Sequence, residues 1–389
     1  MPTTKWKNLA YQAVLPFQAP GCGANPILAV IGRPLSARSA FERLLHRNHV
    51  LGSSTLLTSG SQETLILSGA ERPPRRPAED TCYRVASITK TATATLTMKL
   101  CEEGLWGLDD LVAPMMPEKL PELEGVTLRH LLSHTSGLED PPLLDRLVEE
   151  GKPLTEILPG RRKNTPGAVF QYSNLGFGLL GCLMEARLKE PIGAIFRKRL
   201  FEPLGMNATL EGWELPDDII MPIVRVLPYH PEKQLIRTRL GSQPLTAPDP
   251  LRHYGHTAGA MYTDIRSLAR LFDLLRNGGS TRDGIRYLSE SSVREMTRVQ
   301  ARYGALSPTL SYGLGLLIIQ DASLSSGRIL GHQGFAYGCV DGAFWEETTG
   351  NMALSLNGGA SEARHGRLGI VNEDLLRWAL RREFPSWTR

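Results

Sequence analysis

A serine placed three residues ahead of a lysine, in Ser87-Ile88-Thr89-Lys90, is the feature that most constrains this chain. A serine hydroxyl is a poor nucleophile until a base lies beside it, and a lysine desolvated by burial has a lowered pKa and can act as that base. Positions i and i+3 share one face of a helix, so a helix from Ser87 to about Glu103 would bring the two side chains together. The run Thr91–Thr97 alternates in the manner of a strand, but we expect tertiary context to override that propensity.

Two further motifs follow in order, Tyr172-Ser173-Asn174 and His332-Gln333-Gly334. The ordered set resembles the penicillin-recognising serine hydrolases, a family of class C type β-lactamases, DD-peptidases, D-aminopeptidases and related esterases. Four other segments are similar to that family, namely Leu131–Leu138, Pro203–Met206, Ala258–Tyr262 and Tyr312–Gly315. The resemblance extends from about residue 40 to the C-terminal region. It identifies the fold more narrowly than the substrate.

The resemblance implies a role for the first two motifs. Ser87 would attack a carbonyl and form an acyl-enzyme, while Lys90 and Tyr172 would share the general-base work. Because a phenol with a pKa near 10 is a poor base in water, Tyr172 needs a cation beside it; Lys90 is the first candidate and His332 the second. Asn174 would donate from its amide to a substrate carbonyl and hold Lys90 in place.

The third motif is expected to form the oxyanion site. By resemblance, the backbone N–H groups of Ser87 and Phe335 would bind the oxyanion, and Gly334 would let the backbone approach the ligand closely. In β-lactamases this motif is usually Lys-Thr-Gly followed by Ser or Thr, which meet a substrate carboxylate. Here His332 is only partly charged at neutral pH and Phe335 has no hydroxyl, so efficient β-lactam hydrolysis is not expected. Phe335, Tyr337 and Trp345 are candidates for an apolar acyl pocket, with core packing an equal alternative for Trp345.

The order of predicted elements indicates an α/β (α+β) fold of the β-lactamase/transpeptidase type. The resemblance implies an antiparallel sheet flanked by helices, an all-α domain, and an active site in the cleft between them. We predict an N-terminal extension at 1–36, a discontinuous α/β domain at 37–108 and 251–389, and a helical domain at 109–250. Helices are expected at 37–48, 126–133, 176–188, 192–200, 263–277, 289–299 and 371–382, and strands at 54–59, 63–68, 312–319, 328–332, 338–345 and 352–357.

Composition agrees with a small-molecule enzyme. A net charge of +4 over 389 residues does not indicate nucleic-acid binding. Five scattered cysteines suit reduced thiols in a cytoplasmic protein, and no stretch approaches the length of a membrane span. His253 and His256 have a spacing that could hold a metal, but no third ligand is evident, so neither metal nor cofactor is expected. His134 is interpreted as a structural turn residue, and the oligomeric state is left open.

The leading hypothesis is an esterase-like serine hydrolase that cleaves an ester or amide through an acyl-enzyme on Ser87. A DD-peptidase or D-aminopeptidase, or a β-lactamase, is the alternative among hydrolases. An acyltransferase uses the same residues and differs only in the acceptor of the acyl group. A non-catalytic binding protein is a further alternative, although it would have no need of a nucleophile with its bases.

Overall fold

The computed structural model describes residues 13–14, 26–69, 76–226, 244–304 and 307–383. Most of the predicted N-terminal extension, including Cys22, lies outside these ranges. The strands are β1 Ile27–Gly32, β2 Leu51–Ser59, β3 Gln62–Ser68, β4 Tyr83–Arg84, β5 Ala208–Thr209, β6 Tyr262–Thr263, β7 Ala301–Arg302, β8 Leu310–Tyr312, β9 Leu317–Ile319, β10 Ile329–Ala336, β11 Cys339–Glu346, β12 Met352–Gly359, β13 Arg364–His365 and β14 Leu368–Gly369. The helices are α1 Arg38–Arg47, α2 Thr89–Glu102, α3 Leu128–Leu132, α4 Leu144–Glu149, α5 Leu154–Ile157, α6 Asn174–Leu188, α7 Ile192–Phe196, α8 His256–Gly259, α9 Ile265–Arg276, α10 Glu290–Thr297 and α11 Ile370–Trp378.

A nine-stranded sheet joins the two ends of the chain, in the order β1-β3-β2-β12-β11-β10-β9-β8-β7. All of its neighbouring strands are antiparallel, and β2 pairs with β12 in the register Leu56 to Leu354. Strand β1 is one of the two edge strands and pairs with β3, although it falls in the segment predicted as an N-terminal extension. The antiparallel sheet with helices around it is the fold class expected from the sequence.

Helices cover both faces of this sheet. Successive strand residues point to opposite faces, so Leu56 packs in one hydrophobic cluster and Leu57 in another. Helices α1 and α11 cover the Leu57 face, where the rings of Phe41 and Trp378 lie 4.4 Å apart. The opposite face packs against α9 and continues into the larger cluster, which includes residues of α2 and α6. No helix of the described residues is long and apolar enough to cross a membrane.

Helix α2 accommodates its strand-like threonines because their buried hydroxyls find carbonyl acceptors. The hydroxyls of Thr95 and Thr97 each donate to the carbonyl four residues earlier, at 2.8 Å, and that of Thr93 lies 2.7 Å from the carbonyl of Thr257 and 3.1 Å from that of Thr89. This pairing satisfies side chains that are fully buried and would otherwise compete with the helix backbone. Thr91 donates instead to the carbonyl of Gly315, at 2.9 Å. The threonines therefore fasten the nucleophile helix inside the core.

The strand predicted at 312–319 is wrong as a single element. The structure has two short strands, β8 and β9, separated by a turn in which Gly313 N–H donates to Leu316 O at 2.8 Å. Gly315 has a φ of 68°, and a Cβ there would lie 2.3 Å from the Cβ of Ala94 on α2. Glycine is required in this turn because the chain between β8 and β9 passes this closely over α2 and has a positive φ there.

Candidate active site

Ser87 lies in a short 3₁₀ turn, Ala86–Ile88, that leads directly into α2. The preceding residue, Ala86, has a φ of 45°, a left-handed conformation that a residue with a Cβ rarely adopts. Ser87 is half-buried, whereas the residues on either side of it are buried. Strained backbone of this kind is found where surrounding structure holds a functional residue in place. The local fold therefore presents the Ser87 hydroxyl to the cavity.

Lys90 follows one turn later and is fully buried. Its Nζ lies 3.1 Å from Ser87 Oγ, 2.8 Å from Asn174 Oδ1 and 2.7 Å from the carbonyl oxygen of Ala258. Burial lowers the pKa of Lys90 to about 7, against the opposing effect of the nearby carboxylates. Much of the amine is therefore unprotonated at neutral pH, and a neutral amine can accept the Ser87 proton. The predicted pairing of these residues is present in the structure.

Tyr172 is the third group at the nucleophile. Its phenol is hydrogen-bonded to Ser87, and burial raises its pKa in spite of that bond. Lys90 Nζ lies 4.9 Å from the centre of the Tyr172 ring. Because the phenol keeps its proton more tightly than Lys90 does, the geometry and charges favour Lys90 as the first proton acceptor and Tyr172 as a relay.

Asp140 orients Asn174 and was missed by the sequence analysis. Its carboxylate accepts hydrogen bonds from Ser173 Oγ at 2.9 Å, Asn174 N at 3.0 Å, Asn174 Nδ2 at 2.8 Å and Leu175 N at 2.9 Å. A carboxylate is stabilised at the N-terminus of a helix, here α6. One Asn174 amide hydrogen is thus used by Asp140, and the amide oxygen is turned towards Lys90. Only the second amide hydrogen remains for a substrate carbonyl.

His332 is not the second cation that the sequence suggested for Tyr172. Its Nδ1 donates to the Gln333 carbonyl at 2.8 Å, and its Nε2 accepts from the Tyr312 hydroxyl at 2.9 Å. Burial, followed by the charge of Lys90, lowers the pKa of His332 to about 3. The imidazole is therefore neutral at physiological pH and acts as a hydrogen-bonding spacer between Tyr312 and strand β10.

The backbone of Phe335 faces the cleft. Phe335 pairs with Val340 across the β10–β11 hairpin, but the N–H and C=O of Val340 both bond to the side chain of Asn357, at 3.3 and 2.6 Å. Because opposed residues in an antiparallel pair either exchange both bonds or neither, the Phe335 N–H points away from β11. It therefore lies on the strand edge beside the Ser87 turn, as an oxyanion donor requires.

Gly334 is needed for a different contact from the one expected. A Cβ at this position would lie 2.4 Å from the carbonyl oxygen of Val85 and 3.3 Å from the Cβ of Ala86. The close approach is thus to the chain leading into Ser87, rather than to a ligand. The missing side chain brings the strand edge with Phe335 next to the nucleophile.

His134, interpreted from sequence as a turn residue, holds Tyr172 from three directions. Its carbonyl accepts from Gln171 N at 2.7 Å, and its Nδ1 accepts from Ser173 N at 3.1 Å. Its ring lies 4.2 Å from the Tyr172 ring at an angle of 31°. His134 itself has a φ of 58°. The turn interpretation was correct but incomplete, since the turn also positions Tyr172.

These residues surround a cavity of about 460 Å³. Its lining is rich in positive charge, with four arginines and the carboxylate of Asp145; the arginines are Arg84, Arg225, Arg364 and Arg367. The Arg364 guanidinium lies 3.8 Å from the centre of the Phe335 ring. Phe335 and Tyr337 line the cavity, but the arginines share that lining, so the apolar acyl pocket remains a prediction. Trp345 is instead a core residue, buried beside Phe272 with ring centres 6.1 Å apart.

The histidine pair considered as a metal site has a structural role. His253 Nδ1 lies 2.7 Å from the buried carboxylate of Glu185. Burial lowers the pKa of His256 to about 4. No group of three or more His, Cys, Asp and Glu side chains within the described ranges has a metal-binding arrangement. The pair therefore stabilises the loop before α8.

Comparison with known proteins identifies the family and the fold of this chain. The beta-lactamase family model matches residues 37–345. Esterase EstB of Burkholderia gladioli is 28% identical over 87% of this chain and 94% of its own length. The D-alanyl-D-alanine-carboxypeptidase/endopeptidase AmpH of Escherichia coli is 28% identical, over 43% of this chain and 47% of that protein. An octameric penicillin-binding protein homologue from Pyrococcus abyssi superposes with a TM-score of 0.68 and 21% identity, over 88% of this chain and 76% of the other, which shows the shared fold. The chain belongs to the beta-lactamase family and is a serine hydrolase of that family.

Proposed function

We propose that this protein hydrolyses carboxylic esters through an acyl-enzyme on Ser87, with Lys90 as the first base. The observation that carries the proposal is the 3.1 Å contact between Lys90 Nζ and Ser87 Oγ, combined with a pKa of Lys90 near 7. A nucleophile with a neutral base in hydrogen-bond reach is ready to react. The 28% identity with esterase EstB, over most of both chains, supports an ester substrate.

Acylation follows from the contacts in the cavity. As Ser87 Oγ bonds to the ester carbonyl carbon, its proton moves to Lys90 Nζ, and the carbonyl oxygen takes up negative charge. The N–H groups of Ser87 and Phe335 stabilise that oxyanion. When the bond to the leaving alkoxide breaks, the Tyr172 hydroxyl gives up its proton to the leaving oxygen and receives the proton held on Lys90. The products are a neutral alcohol, the acyl-enzyme and the regenerated bases.

Deacylation repeats the sequence with water. A water molecule loses a proton to Tyr172 and Lys90 as its oxygen attacks the acyl carbon, and the bond to Ser87 Oγ then breaks, with the proton returning to the serine. An alcohol or amine in the place of water would give an acyltransferase, as the sequence analysis allowed. Both outcomes use the same chain residues, and they differ in what enters the cavity.

The arginines of the cavity favour a peptidase as the second candidate function. A DD-peptidase must bind a substrate carboxylate, and the His332 and Phe335 positions supply neither a cation nor a hydroxyl for it. Arg364 and Arg367 line the same cavity, and a guanidinium is well suited to bind a carboxylate. The 28% identity with the carboxypeptidase AmpH agrees with this candidate, although the chain spans less than half of that relative.

Intact-mass spectrometry separates these candidates. The protein is incubated with a fluorophosphonate, short-chain p-nitrophenyl esters and a penicillin, beside Ser87→Ala and the matched control Ser291→Ala, which changes an exposed serine on α10. A fluorophosphonate adduct lost only in Ser87→Ala, with ester turnover and no lasting penicilloyl mass, supports the esterase. A stable penicilloyl adduct supports the peptidase. An absence of all adducts would contradict the proposal and favour a non-catalytic binding protein.

We also propose that the protein acts in the cytoplasm on a small-molecule substrate. Cys82, Cys101, Cys182 and Cys339 are free in the structure, and burial raises the pKa of Cys82 to about 12. Free thiols persist where the compartment is reducing. Cell fractionation with a thiol-reactive mass tag tests this location, since an exported protein would be recovered outside the cytoplasmic fraction.

A further inference from the structure

The groups that contact Tyr172 define the leaving-group end of the cavity. The leaving oxygen must lie within reach of the Tyr172 hydroxyl, because that hydroxyl protonates it. Tyr303 lines the cavity and is joined to Tyr172 through packed rings. Its ring centre lies 6.4 Å from that of Tyr312, which lies 4.8 Å from His134, and His134 lies 4.2 Å from Tyr172. Tyr337 contacts Asp145 and Arg84 instead. With the leaving group beside Tyr172, the acyl group extends towards Tyr337.

Tyr337 forms a bridge across that acyl end. It lies in the turn between β10 and β11, two residues beyond Phe335, and its hydroxyl donates to the carboxylate of Asp145 on α4. The bond therefore joins the sheet to a helix on the opposite wall of the cleft. The residue before Asp145, Leu144, also lines the cavity. Together these side chains place a hydrogen-bonded bridge across the cleft at this point.

The bridge is held rigidly from the sheet side. Arg84 Cζ lies 5.2 Å from the centre of the Tyr337 ring, within the range of a cation–π contact, and Arg84 Nε donates to the Gly259 carbonyl at 2.9 Å. The backbone of Tyr337 has a φ of 55°. At the next residue, Gly338, a Cβ would lie 2.8 Å from the Cα of Arg225. The sheet thus holds one side of the ring, and the hydroxyl bond to Asp145 holds the other.

We propose that the Tyr337–Asp145 bridge closes the acyl end of the cavity and restricts the enzyme to esters of short acyl groups. This inference rests on the proposed ester hydrolysis. Because Tyr337, Asp145 and Leu144 line the cavity at this point, the bridge limits the length of the acyl group rather than the volume of the cavity. A hydrogen bond to a carboxylate is stronger than one between neutral groups, which suits a wall that must resist a long chain.

The test compares p-nitrophenyl acetate, butyrate and octanoate, which share one leaving group and differ in acyl length. The wild type is expected to lose kcat/KM from butyrate to octanoate. Tyr337→Phe removes the bridging hydroxyl and Asp145→Asn removes the charge from its partner, so each variant opens the wall from a different side. Each is expected to raise the octanoate-to-acetate ratio of kcat/KM by about tenfold, the scale of a change in pocket fit. Tyr287→Phe is the matched control, because it removes one hydroxyl bond, to Arg199 O, outside the cavity lining.

The outcomes separate this inference from the proposed function. Equal hydrolysis of octanoate and acetate by the wild type, or an unchanged ratio in both bridge variants, would overturn the closed wall while leaving the esterase intact. Fluorophosphonate labelling of Ser87 and a thermal unfolding scan show whether each variant is folded, and one folded bridge variant suffices for the test. If neither fluorophosphonate labelling nor turnover of any ester occurs in the wild type, the proposed function fails first.

A second series of esters keeps the acetyl group and lengthens the alcohol. Its kcat/KM values should change little in either bridge variant. A change equal to that of the acyl series would place the bridge at the leaving-group end and overturn its assignment.

Discussion

Replacing Lys90 by methionine is expected to change the pH dependence of stability in a direction that can be worked out in advance. The pKa of Lys90 is about 7 in the folded protein, against 10.5 ordinarily. Between these values the unfolded chain binds a proton that the folded chain has released, so stability rises with pH. From pH 7 to pH 9 the free energy of unfolding should rise by ~2 kcal/mol from this group alone, at ~1.4 kcal/mol for each pKa unit. Lys90→Met lacks that rise.

The same pKa shift also predicts whether Lys90→Met is more or less stable than the wild type at neutral pH. The whole shift corresponds to ~5 kcal/mol of destabilisation. Against it, the variant leaves the buried Ala258 carbonyl without the bond from Lys90, which costs ~1–3 kcal/mol, whereas Ser87 and Asn174 line the cavity, where water can replace the lost bond. Lys90→Met should therefore be at least as stable as the wild type at pH 7 and inactive towards esters. The wild type would then have a free energy of unfolding no higher than that of an inactive variant, which shows that the buried lysine lowers stability.

Urea denaturation at pH 6, 7, 8 and 9 measures the effect, provided that the dependence on denaturant is the same in both proteins. Lys99→Met is the control, because Lys99 lies on the same helix, is partly exposed and pairs with Glu103 at 3.7 Å. Its curve should follow that of the wild type at each pH. Parallel curves for wild type and Lys90→Met would refute the reasoning. In the wild type, kcat/KM should rise with pH through about 7, as Lys90 loses its proton.

Three further substitutions test the positioning of the site. Asp140→Asn should lower kcat by ~100-fold, the cost of a small misplacement of catalytic groups, because Asn174 loses its orienting carboxylate. Steady-state kinetics measures the change, and an unchanged kcat would contradict the orienting role of Asp140. Gly334→Ala should slow fluorophosphonate labelling, since the new Cβ would lie 2.4 Å from Val85 O and push β10, with Phe335, away from Ser87. Labelling at the wild-type rate would show that the contact between Gly334 and Val85 is unimportant. His134→Phe keeps a ring but loses the Nδ1 atom that accepts from Ser173 N. Because a buried donor left unsatisfied costs ~1–3 kcal/mol, kcat should fall about tenfold while KM changes little. A change in KM alone would contradict the positioning of Tyr172 by His134.

The meeting of the motif residues could be predicted from sequence because the role proposed for each depends on its chemical type. Ser87, Lys90 and Tyr172 meet as expected, since spacing on a helix and the need for a base are local or chemical arguments. Asp140 could not be found in this way, because a carboxylate at a helix N-terminus, far along the chain from its helix, has no sequence spacing that identifies it. The neutral state of His332 was missed for a related reason, since burial sets its pKa and burial comes from tertiary packing.

The main error in the fold has the same origin. The run at 312–319 is apolar enough for one strand, and only its packing over Ala94 on the nucleophile helix shows why Gly315 divides it. Likewise, β1 looked like part of an extension because its pairing with β3 is a contact between separate segments of the chain. The limits of the predicted domains remain predictions. Local sequence patterns thus predict helices, strands and the types of site residue, whereas the edge strands and turns of a sheet depend on contacts with segments that are distant in sequence.

The pairing of β2 with β12 has a consequence for when this protein can first act. The hydroxyls of Thr55 and Ser355 bond at 2.8 Å across 300 positions of sequence, and β10, which carries the Phe335 donor, enters the sheet through the same late strands. Contacts of such long range form slowly. During synthesis, Ser87 and Lys90 emerge from the ribosome well before the strand that would complete the proposed oxyanion site. A nascent chain therefore exposes its nucleophile while it lacks the means to use it, and the emergence of β10 makes assembly of the active site possible.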